Sequence, residues 1–98
     1  MMLNDLPTPA VIVDRQRLEA NLADMQALAE RESVQLRPHT KTHKSIRMAR
    51  RQEALGAAGL TVAKVAEAEV FAEAGFRDIR IAYALVGRDK LERVARLM

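Results

Sequence analysis

Val34-Gln35-Leu36-Arg37-Pro38-His39-Thr40-Lys41-Thr42-His43-Lys44-Ser45 decides how the chain is read. A short apolar run, Val34 to Leu36, enters a polar and basic stretch, and Ser45 opens a segment with helical spacing. Strand, polar turn and helix in that order is where α/β proteins hold reactive groups, at the carboxyl ends of strands. Both histidines of the chain, His39 and His43, lie here. Strand side chains alternate between faces. An extended run carried through the motif therefore places Arg37, His39 and Lys41 on one face and Pro38, Thr40 and Thr42 on the other. A lysine beside a guanidinium and an imidazole has a disfavoured ammonium form. Its pKa is expected to fall, which is the condition for a Schiff-base nucleophile. The same residues also fit a solvated basic loop.

Outward from this stretch, β-type runs and helices alternate. Ala10 to Val13 reads as a first strand after an irregular lead-in through Pro7 and Pro9, with Asp14 as a helix N-cap. A helix follows over Arg15–Glu32, with Leu18, Leu22, Met25, Leu28 and Ala29 as its apolar stripe. Val34 to Leu36 is the second strand. The next helix starts at Ser45 and ends at Gly56. Leu60 to Ala63 is the third strand, ending on Lys64; a helix over Val65–Ala74 stops at Gly75, with Glu67, Glu69 and Glu73 as a solvated face. Ile79 to Ala82 is the fourth strand and delivers Tyr83. A last helix begins at Arg88 or Asp89.

This order, β-α repeated four times, implies a parallel sheet with right-handed crossovers. A doubly wound sheet would carry a glycine-rich phosphate turn after its first strand, and Asp14-Arg15-Gln16 stands there instead. A whole (β/α)₈ barrel needs about 250 residues. The expected fold is thus α/β, an incomplete (β/α)₈ TIM-type barrel filling residues 1–98. Strand ends then bring Lys41, Lys64 and Tyr83 to one mouth.

Composition narrows the function classes. Apolar residues make up 49% of the chain, enough for a folded core, and aromatics only 3%. No run approaches the ~20 apolar residues of a membrane span, and the opening residues do not read as a signal peptide, so none is expected. Absent cysteines remove disulfides and thiolate metal sites and agree with a cytoplasmic setting. The net charge is +3, and between residues 37 and 51 the cations Arg37, Lys41, Lys44, Arg47, Arg50 and Arg51 meet no acid. Such a cluster suits nucleic acid, a cofactor phosphate or an anionic substrate. Single-strand binders interleave aromatics for stacking, and this stretch has none.

Four segments carry a family resemblance: Asp5–Asp14, Leu36–Ser45, Thr61–Glu69 and Asp78–Gly87. Together they resemble the amino-terminal part of the D-threonine aldolase and D-serine dehydratase family, pyridoxal-phosphate enzymes of the alanine racemase fold type. The Arg-Pro-His-x-Lys-Thr-His-Lys motif at Arg37–Lys44 is the most specific part, and Ala84 departs from a proline common in relatives. By this resemblance Lys41 forms the Schiff-base link to pyridoxal 5'-phosphate; His39, two residues earlier on the same strand face, is expected beside the cofactor ring, and Tyr83 is expected by its position to line the same mouth. His43 and Lys44 orient the turn or meet phosphate or substrate carboxylate. The resemblance implies lyase chemistry on a small D-amino acid: retro-aldol cleavage of a β-hydroxy amino acid, or loss of the β-hydroxyl from D-serine. It also implies a divalent metal held by residues outside this chain, and a homo-oligomer. The chain alone is expected to be an inactive piece of such an enzyme, with an unpaired sheet edge. A basic β/α nucleic-acid module and a non-catalytic interaction fragment are the alternatives.

Overall fold

The computed structural model describes residues 1–98. Helix starts follow the capping residues. An Asp14 carboxylate oxygen accepts the Arg17 N–H at 2.9 Å and starts helix Arg15–Arg31 (α1). Ser45 Oγ accepts the Met48 N–H at 3.2 Å and starts helix Ile46–Leu55 (α2). Strand Leu60–Val62 (β1), helix Val65–Glu73 (α3), strand Ile79–Ile81 (β2) and helix Arg88–Leu97 (α4) complete the order.

The first three helices end in the same way. After α2, Gly56 takes φ 121°, its N–H donates to the Glu53 carbonyl, and the Ala57 N–H donates to that of Gln52. After α3, Gly75 at φ 96° and Phe76 repeat the pattern on Ala72 and Phe71. After α1 the left-handed residue is Ser33, φ 57°, with Val34 donating to Ala29. This double closure satisfies carbonyls that the helix itself leaves free, and an apolar contact commonly accompanies it. Phe71 and Phe76 make that contact edge to face, with ring centroids 5.6 Å apart.

Two of the expected strands differ. Ala10–Val13 is extended but pairs with nothing, and Val11 is 96% exposed. A strand needs a hydrogen-bonded neighbour, and no backbone hydrogen bond joins this run to another segment. The second run starts later than Val34, because that residue belongs to the closing turn of α1. Pairing begins at Leu36, whose carbonyl accepts the Ala58 N–H at 2.8 Å; the Pro38 carbonyl accepts the Thr61 N–H at 2.8 Å, and His39 bridges Thr61 in parallel. Leu36–His39 thus occupies a strand position beside β1. β1 pairs in parallel with β2, Leu60 opposite Ile79 and Val62 opposite Ile81.

Period-two alternation splits the two strands. Leu60, Val62, Ile79 and Ile81 pack with Ala49, Ala68, Phe71 and Phe76 in the core. Thr61 and Arg80 take the opposite face. The shortest dimension, 21 Å, equals one sheet under one layer of helices. The molecule is an arc with a covered outer face.

At the amino-terminal end of this sheet, Arg37 makes a two-pronged contact with the Asp78 carboxylate at 2.5 and 2.9 Å. A Cβ on Gly59 would lie 2.6 Å from the Asp78 carbonyl oxygen and press on the Arg37 guanidinium. Backbone cannot yield as a flexible side chain does. Gly59→Ala is expected to lower the free energy of unfolding by about 1–3 kcal/mol, read as a lower urea midpoint at unchanged slope.

Candidate active site at the carboxyl ends of the strands

The extended segment stops at His39. Thr40–Thr42 turns as one 3-10 turn, and the Thr40 carbonyl accepts both the His43 N–H at 3.2 Å and the Lys44 N–H at 2.7 Å. Thr40 is fully buried, and its hydroxyl donates to the Thr61 carbonyl at 3.2 Å. His39 is half-buried, and its Nδ1 accepts the Lys41 N–H at 3.2 Å, so the ring proton of the neutral form sits on Nε2. His43 Nδ1 accepts the Ser45 N–H at 2.9 Å, which leaves Nε2 to donate to Gln52 Oε1 at 3.2 Å. Lys44 takes φ 48° at the exit of the turn.

The expected alternation Arg37–His39–Lys41 therefore fails at its last member. Hydrogen bonds of the 3-10 turn replace the ladder after His39, and the Arg37 guanidinium is held at the opposite end of the strand by Asp78. Lys41 is exposed, makes no ion pair, and its amine has no hydrogen-bond partner in the chain. It is the cation of the motif that nothing in the fold engages.

Most of the neighbouring cations are engaged. Arg37 pairs with Asp78, Lys44 with Glu67, Arg50 with Glu53 and Arg51 with Glu19; Lys41 and Arg47 are left without an acid. The guanidinium of Arg50 also lies over the Phe76 ring, 4.2 Å from its centroid. Much of the basic run that looked continuous in sequence is neutralised by acids distant along the chain.

Glu67 is not on a solvated face, as its sequence position had indicated. Its side chain is 11% exposed; Oε2 accepts the Ala63 N–H at 2.8 Å and the Lys64 N–H at 3.2 Å, and Oε1 lies 3.6 Å from Lys44 Nζ. Burial pushes this carboxyl up, but the Ala63 N–H, the Lys44 charge and the Lys64 N–H together hold it below its usual value. Glu69 is likewise taken from the solvated face, paired with Arg93 of α4 at 2.6 Å. Signals for Glu67 were present, since a glutamate three residues into a helix commonly reaches back to its start.

Lys64 and Tyr83 fall where the strand ends put them. Lys64 follows β1 at the start of α3 and is exposed; Tyr83 follows β2, is 46% exposed, and its hydroxyl accepts from Lys90 Nζ at 3.3 Å. With β1 central, the turn of Lys41, the start of α3 and Tyr83 line one edge of the sheet. Tyr83 also borders a concavity of about 760 Å³ on the open face, with Arg37, Thr61 and Arg80. His39 borders a smaller cavity of about 310 Å³ under α1 and α2, next to Gln26 and Gln52.

Comparison with known proteins identifies the family and the fold. A family model, alanine racemase N-terminal domain, matches residues 13–97. The chain belongs to that family. Its fold is α/β and part of a TIM-type barrel. D-threonine aldolase of Arthrobacter sp. is 48% identical over 90 residues, which cover 92% of this chain and 24% of that protein. D-threo-3-hydroxyaspartate dehydratase of Delftia sp. (strain HT23) is 45% identical over 80 residues, 82% of this chain and 21% of the dehydratase. The crystal structure of D-threonine aldolase from Filomicrobium marinum superposes with a TM-score of 0.93 at 47% identity, covering 97% of this chain and 26% of that one. This member of the alanine racemase N-terminal domain family thus spans about a quarter of the length of the enzymes it matches.

Ion pairs at both ends of the sheet also set an acid limit on the fold. The Arg37 guanidinium holds the Asp78 carboxyl below the usual range, and Glu67 is held low as well. A folded-state pKa below the unfolded value, about 4 for these groups, contributes stability above it that is lost as pH falls through the folded value. Thermal midpoints by circular dichroism should therefore be flat above about pH 5 and decline below it. Asp78→Asn should lower the neutral midpoint and flatten the acid decline.

Proposed function

We propose that the chain is the amino-terminal part of a pyridoxal-phosphate-dependent lyase acting on a small D-β-hydroxy amino acid. One observation carries the proposal: Lys41 is an exposed, unpaired amine at the carboxyl edge of a parallel sheet, in a motif whose other polar members are nearly all held by the fold. Similarity to an aldolase and a dehydratase supports both the reaction class and the range of substrates.

The residues fit the cofactor. An aldehyde group requires an amine free of acids, and Lys41 supplies one. The turn around it is rigid, since Thr40 is anchored on β1 and His39 receives the Lys41 N–H through Nδ1. His39 keeps an N–H on Nε2 for an acceptor, and Tyr83 offers a hydroxyl from the end of β2. Lys41 would hold the cofactor, with His39 and Tyr83 at its borders. When bound, pyridoxal phosphate draws electrons from the bonds at the substrate α-carbon, which opens retro-aldol cleavage or loss of the β-hydroxyl. Beside the substrate α-carbon, the Lys41 amine would also be a group able to move a proton.

In this proposal the divalent metal that polarises the β-hydroxyl is held by residues outside the 98 described here, as are the residues that complete the barrel. A second subunit and a cytoplasmic setting belong to the same proposal. No helix of the chain is long and apolar enough to cross a membrane. The lyase reading is preferred to the nucleic-acid one because four of the six cations that suggested the latter are paired with acids.

Lys64 is a second exposed amine at the same edge, so the labelled position decides the matter. Borohydride reduction of the parent protein with pyridoxal phosphate, followed by peptide mapping, should place the adduct on Lys41. Lys41→Ala should abolish the adduct and lower turnover about a thousand-fold or more. An adduct on Lys64, or none, would overturn the proposal.

A further inference from the structure

Lys41 sits in a turn that is tied down on both sides, and the two ties reach the same place. On its amino side, the buried Thr40 hydroxyl donates to the Thr61 carbonyl in β1. On its carboxyl side, Lys44 Nζ lies 3.6 Å from Glu67 Oε1. The other oxygen of Glu67 receives the N–H groups of Ala63 and Lys64, the two residues immediately after β1. One carboxylate thus joins the exit of the Lys41 turn to the junction between β1 and α3.

From this we infer that Glu67 is a positioning residue for Lys41, acting through Lys44 to hold the Thr40–Ser45 turn against the end of β1. The inference rests on the proposed role of Lys41 as the cofactor-holding amine. Two features separate the contact from an ordinary surface pair. Glu67 is nearly buried, so its charge is poorly screened and needs its partners. Lys44 takes a left-handed backbone, φ 48°, which residues with a Cβ adopt only when their surroundings impose it. With the contact made, the turn has a fixed exit as well as a fixed entrance, and the Lys41 backbone between them has one position. Placement of a reacting amine to a fraction of an ångström is what such support provides.

The test separates charge from packing. Glu67→Gln keeps an oxygen for the Ala63 and Lys64 N–H groups but removes the charge facing Lys44; Lys44→Ala removes the other partner; Lys44→Arg keeps the pair. Hydrogen exchange on the parent protein without cofactor should show amides of Thr40–Ser45 exchanging about three- to five-fold faster in Glu67→Gln and Lys44→Ala. Lys44→Arg should stay near the wild type, β1 and α3 should be unchanged, and the double variant should be no faster than either single one. In the parent protein, the same two single variants should lower kcat more than they raise KM. Equal exchange in all variants, effects that multiply in the double variant, or a looser turn with unchanged kcat would each overturn the inference. The exchange measurement needs no cofactor. A wild type without an adduct on Lys41 would therefore sink the functional proposal alone, while exchange still decided whether Glu67 holds the turn.

Discussion

A single buried hydroxyl sets the geometry on which the rest depends. Thr40 is fully enclosed, and its Oγ donates to the Thr61 carbonyl across the sheet. Leaving a buried carbonyl or hydroxyl unpartnered costs about 1–3 kcal/mol, so this bond strongly favours one placement of the chain. The bond falls where the ladder between Leu36–His39 and β1 ends. It converts a strand into a turn at a defined residue, and the next residue is Lys41. Had the extended run continued, Lys41 would share one face of the sheet with Arg37 and His39; the turn leaves it exposed at the sheet's carboxyl edge.

Electrostatics follow from the same placement. A parallel sheet brings segments about twenty residues apart side by side, so acids remote in sequence reach the basic motif. Asp78 takes Arg37 at the amino end of the sheet, and Glu67 takes Lys44 at the carboxyl end. What remains is an uneven result: stabilising pairs at both ends, and the unpaired amines of Lys41 and Lys64 at the carboxyl edge. The two ends also differ in purpose. Barrel proteins hold themselves together at the amino end and carry chemistry at the carboxyl end, and the Arg37–Asp78–Gly59 contact belongs to the former.

Membership of the alanine racemase N-terminal domain family places the arc within a larger barrel. The arc alone has a helix-covered outer face and an inner face carrying Thr61 and Arg80, with Arg80 exposed. Inner faces of barrels are filled by side chains from other strands. Thr61 and Arg80 thus lie on the face that a barrel encloses.

Local chemistry was legible from the sequence alone. Asp14 and Ser45 begin helices, and Gly56 and Gly75 end them, because capping depends on side chains and torsions within a few residues. Leu60–Val62 and Ile79–Ile81 were legible as strands because each apolar run has a partner with the same alternation. Ala10–Val13 has the same composition but no neighbour, and composition cannot say whether a neighbouring backbone will be there. The candidate amine was likewise legible in Arg37–Lys44, though its presentation was not. The pairings of Arg37 with Asp78 and of Lys44 with Glu67, the burial of Thr40 and the stop at His39 join residues 21 to 41 positions apart or depend on such contacts. Those distances close only when the sheet forms, so tertiary structure decided that Arg37 and Lys44 are paired and that Lys41 between them in sequence is not.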